Sequence, residues 1–96
     1  MSCILIVKSD TTLVDKKEFE NWYAKEHLSK AKRAFMAKNA KRGKKIANFC
    51  LAIYECENYE DAEKAINSKN LEIFIKKFDF KRDYKVKRKR KLTELI

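Results

Sequence analysis

Two short runs of the chain, Cys3-Ile-Leu-Ile-Val-Lys8 and Asn48-Phe-Cys-Leu-Ala-Ile-Tyr-Glu55, are apolar at almost every position rather than at every second one. Continuous runs of this length, rich in β-branched and aromatic residues, suit strands buried on both faces. A sheet made of such strands needs a cover on each side. The chain has 96 residues, near the common domain size and too short for two cores, so residues 1–96 are expected to form one domain. Helices within the chain supply one cover, and nothing remains to supply the other. Homodimerisation through the sheet faces is the economical solution.

The segments between the runs read as helices and turns. Asp15 stands three residues before Glu18, a capping-box-like pair, and opens a helix to about Leu28. Ser29 to Phe35 either prolongs that helix or forms a loop, since Ala, Lys and Arg favour helix intrinsically. Met36 to Lys45 is ambiguous, with Gly43, the only glycine, marking a turn between two strands. Asn58 caps a helix through Asn67 that turns Ala62, Ala65 and Ile66 inward. Ser68 or Asn70 caps a further turn or two, in which Leu71, Phe74, Ile75 and Phe78 recur at helical spacing. Tyr84 to Leu95 reads as a last strand anchored by Tyr84, Val86, Leu92 and Leu95. The order β-α-β-β-α-β is that of an α+β, ferredoxin-like domain with an antiparallel sheet.

The net charge of +10 sits in two patches. Residues 25–45 hold nine Lys/Arg against one Glu, and residues 81–91 hold eight against one Asp, so the rest of the chain is net acidic. Such patches attract nucleic acid, anionic surfaces or acidic partners. Lysines on an edge strand also block edge-to-edge aggregation without binding anything. The run Lys85-Val-Lys-Arg-Lys-Arg-Lys91 supports nucleic-acid binding through Lys85, Lys87, Arg88, Lys89, Arg90 and Lys91 as an alternative function. The glycine-and-aromatic pattern with which ferredoxin-like sheets bind RNA is absent.

No apolar run is long enough to span a bilayer, and Met1–Lys8 lacks a basic n-region, so that segment is expected to be a strand rather than a signal peptide. Three cysteines at Cys3, Cys50 and Cys56 show neither metal nor redox spacing and read as buried thiols in a reduced, cytoplasmic compartment. One histidine and no clustered carboxylate or thiol set argue against a metal site, and no Gly-rich phosphate loop exists. No cofactor is expected.

Chemistry is sought first in Phe19-Glu-Asn-Trp-Tyr-Ala-Lys-Glu-His-Leu28, which holds the only tryptophan and the only histidine. On a helix Phe19, Tyr23 and His27 fall at i, i+4 and i+8, with Trp22 beside them. A histidine among aromatics is a candidate general acid or base at His27. The competing reading is a partly buried histidine closing a helix, where the C-terminal dipole favours its charged form. Trp22 and Tyr23 either stack on a flat substrate or simply fill the core. Tyr54 either donates a hydrogen bond into the same cavity or packs with its hydroxyl at the rim. Glu26 points about 100° away from His27 and is not its partner.

Trp22-Tyr-Ala-Lys-Glu-His-Leu28, Leu51-Ala-Ile-Tyr-Glu55 and Phe78-Asp-Phe-Lys-Arg-Asp-Tyr84 together resemble the dimeric α-β barrel superfamily, and within it the EthD-like proteins. The resemblance implies a ferredoxin-like protomer whose sheet packs on a second sheet to make a barrel across a dimer. It also implies a pocket between helices and sheet, lined here by Trp22, Tyr23, His27 and Tyr54. Activities in that superfamily include cofactor-independent oxygenation and isomerisation, so the expected substrate is a small aromatic or carbonyl compound. A non-catalytic binding module is the alternative. This chain departs from the usual pattern in having Ser29, not proline, after the Glu26-His-Leu28 segment, and in its lysine-rich second and last strands.

Overall fold

In a computed structural model, which describes residues 3–43 and 47–94, the chain forms a four-stranded antiparallel sheet with helices on one face. The strands are β1 (Cys3–Asp10), β2 (Asn39–Arg42), β3 (Phe49–Cys56) and β4 (Lys87–Glu94). They lie in the order β2-β3-β1-β4. Helices α1 (Lys16–Trp22) and α2 (Leu28–Ala34) are joined without a break by a π-helical turn, Tyr23–His27. Helices α3 (Tyr59–Ile66) and α4 (Lys69–Lys81) form the second crossover. The α+β, ferredoxin-like βαββαβ expectation is met.

Three helix starts follow the expected caps. The carboxylate of Asp15 accepts the Glu18 N–H at 2.9 Å, the Asn58 side chain accepts that of Asp61 at 2.9 Å, and the Ser68 hydroxyl accepts that of Leu71 at 3.1 Å. Each satisfies a donor that the first helical turn leaves without a partner, a contribution of about 1 kcal/mol. Glu18 does not fold back to complete the box; its carboxylate pairs with Arg82 at 2.8 Å.

Of the two readings open for Ser29 to Phe35, the prolonged helix holds: the first helical segment continues past Leu28 to Ala34. It closes where Met36 turns to φ 55°, with Met36 N–H on the Arg33 carbonyl at 3.1 Å and Ala37 N–H on that of Lys32 at 2.9 Å. Helix α4 closes the same way at Asp83, φ 53°, with Asp83 N–H on Phe80 and Tyr84 N–H on Asp79. Both are Schellman closures in which a side-chain-bearing residue takes the place usually given to glycine. Tyr84, at φ 58° and exposed, therefore belongs to this turn and is not a strand anchor. Strand β4 starts at Lys87, Val86 is buried just before it, and Leu95 lies outside the described residues.

Gly43 does lie beside the β2–β3 connection, for a steric reason. Its N–H donates to the Leu51 carbonyl at 2.9 Å, and a Cβ there would fall 2.9 Å from Leu51 Cβ. Lys44 and Lys45 of the first basic patch lie outside the described residues.

Burial along the central strands alternates. Cys3, Leu5, Val7 and Ser9 of β1, with Cys50, Ala52, Tyr54 and Cys56 of β3, are buried under the helices. Leu5, Val7, Cys50, Ala52 and Tyr54 join Phe19, Tyr23, Ala31, Phe35, Leu71, Phe78 and Val86 in the main core, while Cys3 and Cys56 pack with Ala62 in a second, smaller cluster. Antiparallel register pairs Ile6 with Ile53 and Ile4 with Glu55 on the opposite face. Ile4, Ile6, Phe49, Leu51 and Ile53 are only half-buried on that face. The second cover that their apolar character calls for is thus not supplied by the described residues.

Candidate functional site: a stacked histidine at an aromatic cleft

The π turn positions the site. The Leu28 N–H reaches the Tyr23 carbonyl five residues back instead of four. A π turn spreads more residues over each turn, so side chains five apart come into one column. Trp22 and His27, which an unbroken α-helix would splay apart, stack with ring centroids 4.8 Å apart and an interplanar angle of 26°. Tyr23 keeps its edge contact with His27 at 4.6 Å, and Phe19 packs on Tyr23 at 5.7 Å. From α4, Phe74 stacks on the imidazole at 5.1 Å and 15°, and Phe78 lies at 4.9 Å. His27 is thereby enclosed by four aromatic rings and only 6% exposed.

This setting fixes its charge. Burial among rings penalises imidazolium, and the cations Arg88, Arg82 and Lys30 add repulsion; together they lower the His27 pKa to about 3. The helix does not end here, so no C-terminal dipole favours the charged form. A neutral imidazole inside a continuing helix disfavours the competing reading of a charged histidine closing a helix. Among the described residues, neither ring nitrogen has a hydrogen-bond partner. Glu26, as expected, turns away and pairs with Lys81 at 3.8 Å.

The candidate residues divide between two places. Tyr23 and His27 line a cleft of about 760 Å³ between helices and sheet, together with Phe74, Asp79, Val86 and Arg88. Trp22 is absent from that lining. It stands with His27 and Phe74 in a second groove of about 430 Å³, beneath the Arg82 guanidinium 3.9 Å from its ring. His27 therefore forms part of both walls. Tyr54 is fully buried behind the main cleft, and its hydroxyl meets that of Tyr23 at 2.7 Å. Burial raises the Tyr54 pKa to about 12 and that of Tyr23 well above its usual value. Both phenols stay protonated near neutrality, and Tyr54 reaches the cleft only through Tyr23.

The basic run is not one surface. Lys85 lies in the turn before β4, while the register of β4 on β1 places Lys87, Lys89 and Lys91 beside Asp10, Lys8 and Ile6 on the open sheet face. Arg88 and Arg90 alternate to the helix face. Arg88 is the residue that sequence reasoning missed as part of the cleft. Its guanidinium bonds Asp79 at 2.6 Å and lies 3.8 Å above the Phe78 ring. The signal was present in the alternation of the run, once its register on β1 is known. All three cysteines are free and buried, and desolvation raises the pKa values of Cys50 and Cys56. Among the described residues no three His, Cys, Asp or Glu gather to hold a metal ion, and no helix is long and apolar enough to cross a membrane.

The depressed His27 pKa makes stability pH-dependent. Between the usual histidine value of 6.5 and about 3 the unfolded chain takes up a proton that the folded chain refuses. Stability contributed by neutral His27 is full above that window and lost as pH falls through it, at up to about 1.4 kcal/mol per pH unit. In His27→Phe, which keeps a ring in the stack, denaturant melts at pH 7, 5 and 4 should show a shallower acid loss than the unsubstituted protein. Parallel losses would mean that His27 is charged in the fold.

No protein-family model matches the chain, and no curated protein matches it. Among solved structures it is similar to an ethyl tert-butyl ether D (EthD) family protein from Bacillus halodurans, 14% identical, with a TM-score of 0.72 over 100% of both chains. At that identity the likeness is one of fold, and the fold of this chain is EthD-like, as the residues in its first helix, third strand and fourth helix led us to expect.

Proposed function

We propose that this protein is a cytoplasmic homodimer of EthD-like protomers that binds a small aromatic or carbonyl compound in the cleft beside His27 and moves a proton on it without a cofactor. One observation carries the reading: an imidazole whose nitrogens have no partner among the described residues is stacked between aromatic rings in the wall of the cleft. A neutral imidazole accepts a proton or hydrogen bond from an acidic O–H or C–H group. Its low basicity makes it an acceptor first; an incoming ligand that offsets the surrounding cations makes it a stronger base. Tyr23, protonated and backed by Tyr54, is a donor toward a carbonyl or developing oxyanion. Phe74 and Tyr23 provide flat apolar surface for a ring.

Trp22 is the only tryptophan and stacks on His27, so its emission reports on the site. Titrating 1-naphthol should quench that emission saturably, and His27→Ala should weaken binding about 10-fold or more while leaving the fold intact by circular dichroism. Equal binding by the variant would remove His27 from the site.

The homodimer rests on the open sheet face, where Ile4, Ile6, Leu51 and Ile53 form an apolar strip bordered by Lys8, Lys41, Lys87, Lys89 and Lys91. The same lysines support the competing reading, a nucleic-acid surface. The two readings use one face and exclude each other. Light scattering at micromolar concentration should give twice the chain mass, unchanged by a short single-stranded RNA at physiological salt. A monomer that gains the mass of the RNA would favour nucleic-acid binding and overturn the dimer.

A further inference from the structure

Arg88 has a place in the cleft that its ion pair does not exhaust. Of its five N–H donors, one on Nη2 bonds Asp79 at 2.6 Å. The guanidinium plane is set by the Phe78 ring 3.8 Å away. Among the described residues its remaining N–H groups have no protein partner, yet none is sealed in the interior, whereas the equivalent orphans on Arg82 and Arg42 are. They are therefore accessible donors in the lining of the same cleft as His27. Arg88 and Arg90 reach that cleft from the helix face of β4, and Lys8, Lys87 and Lys89 stand along its rim on the open face of the sheet, against two carboxylates, Asp10 and Asp79. Of those carboxylates, Asp79 is engaged by Arg88, and Asp10 accepts from the backbone N–H and hydroxyl of Thr12 at 2.9 and 2.6 Å. The field in the cleft is positive, and low-dielectric aromatic walls concentrate it.

A guanidinium held by one end-on bond keeps a fork of donors that matches a carboxylate. We infer that the ligand of this cleft is a flat aromatic anion, its carboxylate or enolate oxygens on Arg88 and its ring against Phe74 and Tyr23, with His27 at the ring edge. This rests on the cleft being a ligand site, as proposed above, and adds the ligand class. Such an anion would also oppose the field of Arg88 on His27, and so make the imidazole a better proton acceptor when the ligand is bound.

Calorimetric titration of the full chain with 2-naphthoate and its uncharged isostere 2-naphthamide tests the inference. The carboxylate should bind at least about 10-fold tighter than the amide at low salt. Arg88→Met should bring the carboxylate down to the level of the amide and leave the amide unchanged. Asp79→Asn, which frees the guanidinium without removing it, should tighten the carboxylate and serves if Arg88→Met fails to fold. Equal affinities in the unsubstituted protein would overturn the anion preference while leaving the cleft a ligand site. Binding of neither compound would overturn the inference and the proposed cleft together. A carboxylate preference that survives Arg88→Met would show that another cation holds the anion.

Discussion

One slipped hydrogen bond organises the site. Because the Leu28 N–H bonds the Tyr23 carbonyl rather than that of Ala24, the helix is unwound over Tyr23–His27 and then continues as an α-helix to Ala34. That single register change lays Trp22 over His27 while Tyr23 stays in edge contact with the imidazole. Phe74 and Phe78 of the second crossover close the cage. The imidazole is then too dry and too close to Arg88 and Arg82 to hold a proton, and its chemical character follows from that. In an unbroken α-helix the tryptophan would point elsewhere and leave one face of the imidazole without its ring.

Much of the fold could be read from the chain, for reasons that differ by element. Asp15, Asn58 and Ser68 announce helix starts because a short polar side chain can do there what the backbone cannot. The apolar runs at 3–8 and 48–55 announce strands because their composition has few other solutions. Helix ends were less legible. A chain with one glycine closes these two helices on Met36 and Asp83, so the sequence marks neither the end of α2 nor the turn that holds Tyr84. The π turn was invisible for a related reason. No residue type marks a carbonyl that accepts from five residues on, and the pattern at Phe19, Tyr23 and His27 fits an α-helix equally well.

The site was legible in part. The Phe19–Leu28 stripe does bring two of its members, Tyr23 and His27, to the wall of one cleft. The charge state of His27 is not legible locally, because the arginines beside it come from residues more than fifty positions away. Arg88 was hidden in a run of like residues. Only the pairing of β4 with β1 separates the lysines of the open face from the arginine that turns toward the helices. Alternation within a charged run thus divides it between two environments, one wet and one enclosed.

The neutral, caged state of His27 is the claim on which the rest depends, and it can be observed without any ligand. The chain has one histidine, so imidazole resonances in a nitrogen–proton NMR spectrum need no assignment. The measurement is their titration from pH 8 to pH 4.5. Shifts that stay at neutral-imidazole values across that range are the expected result. A titration with a midpoint near 6.5 would mean an imidazole open to water, and would contradict both the cage and the chemistry built on it.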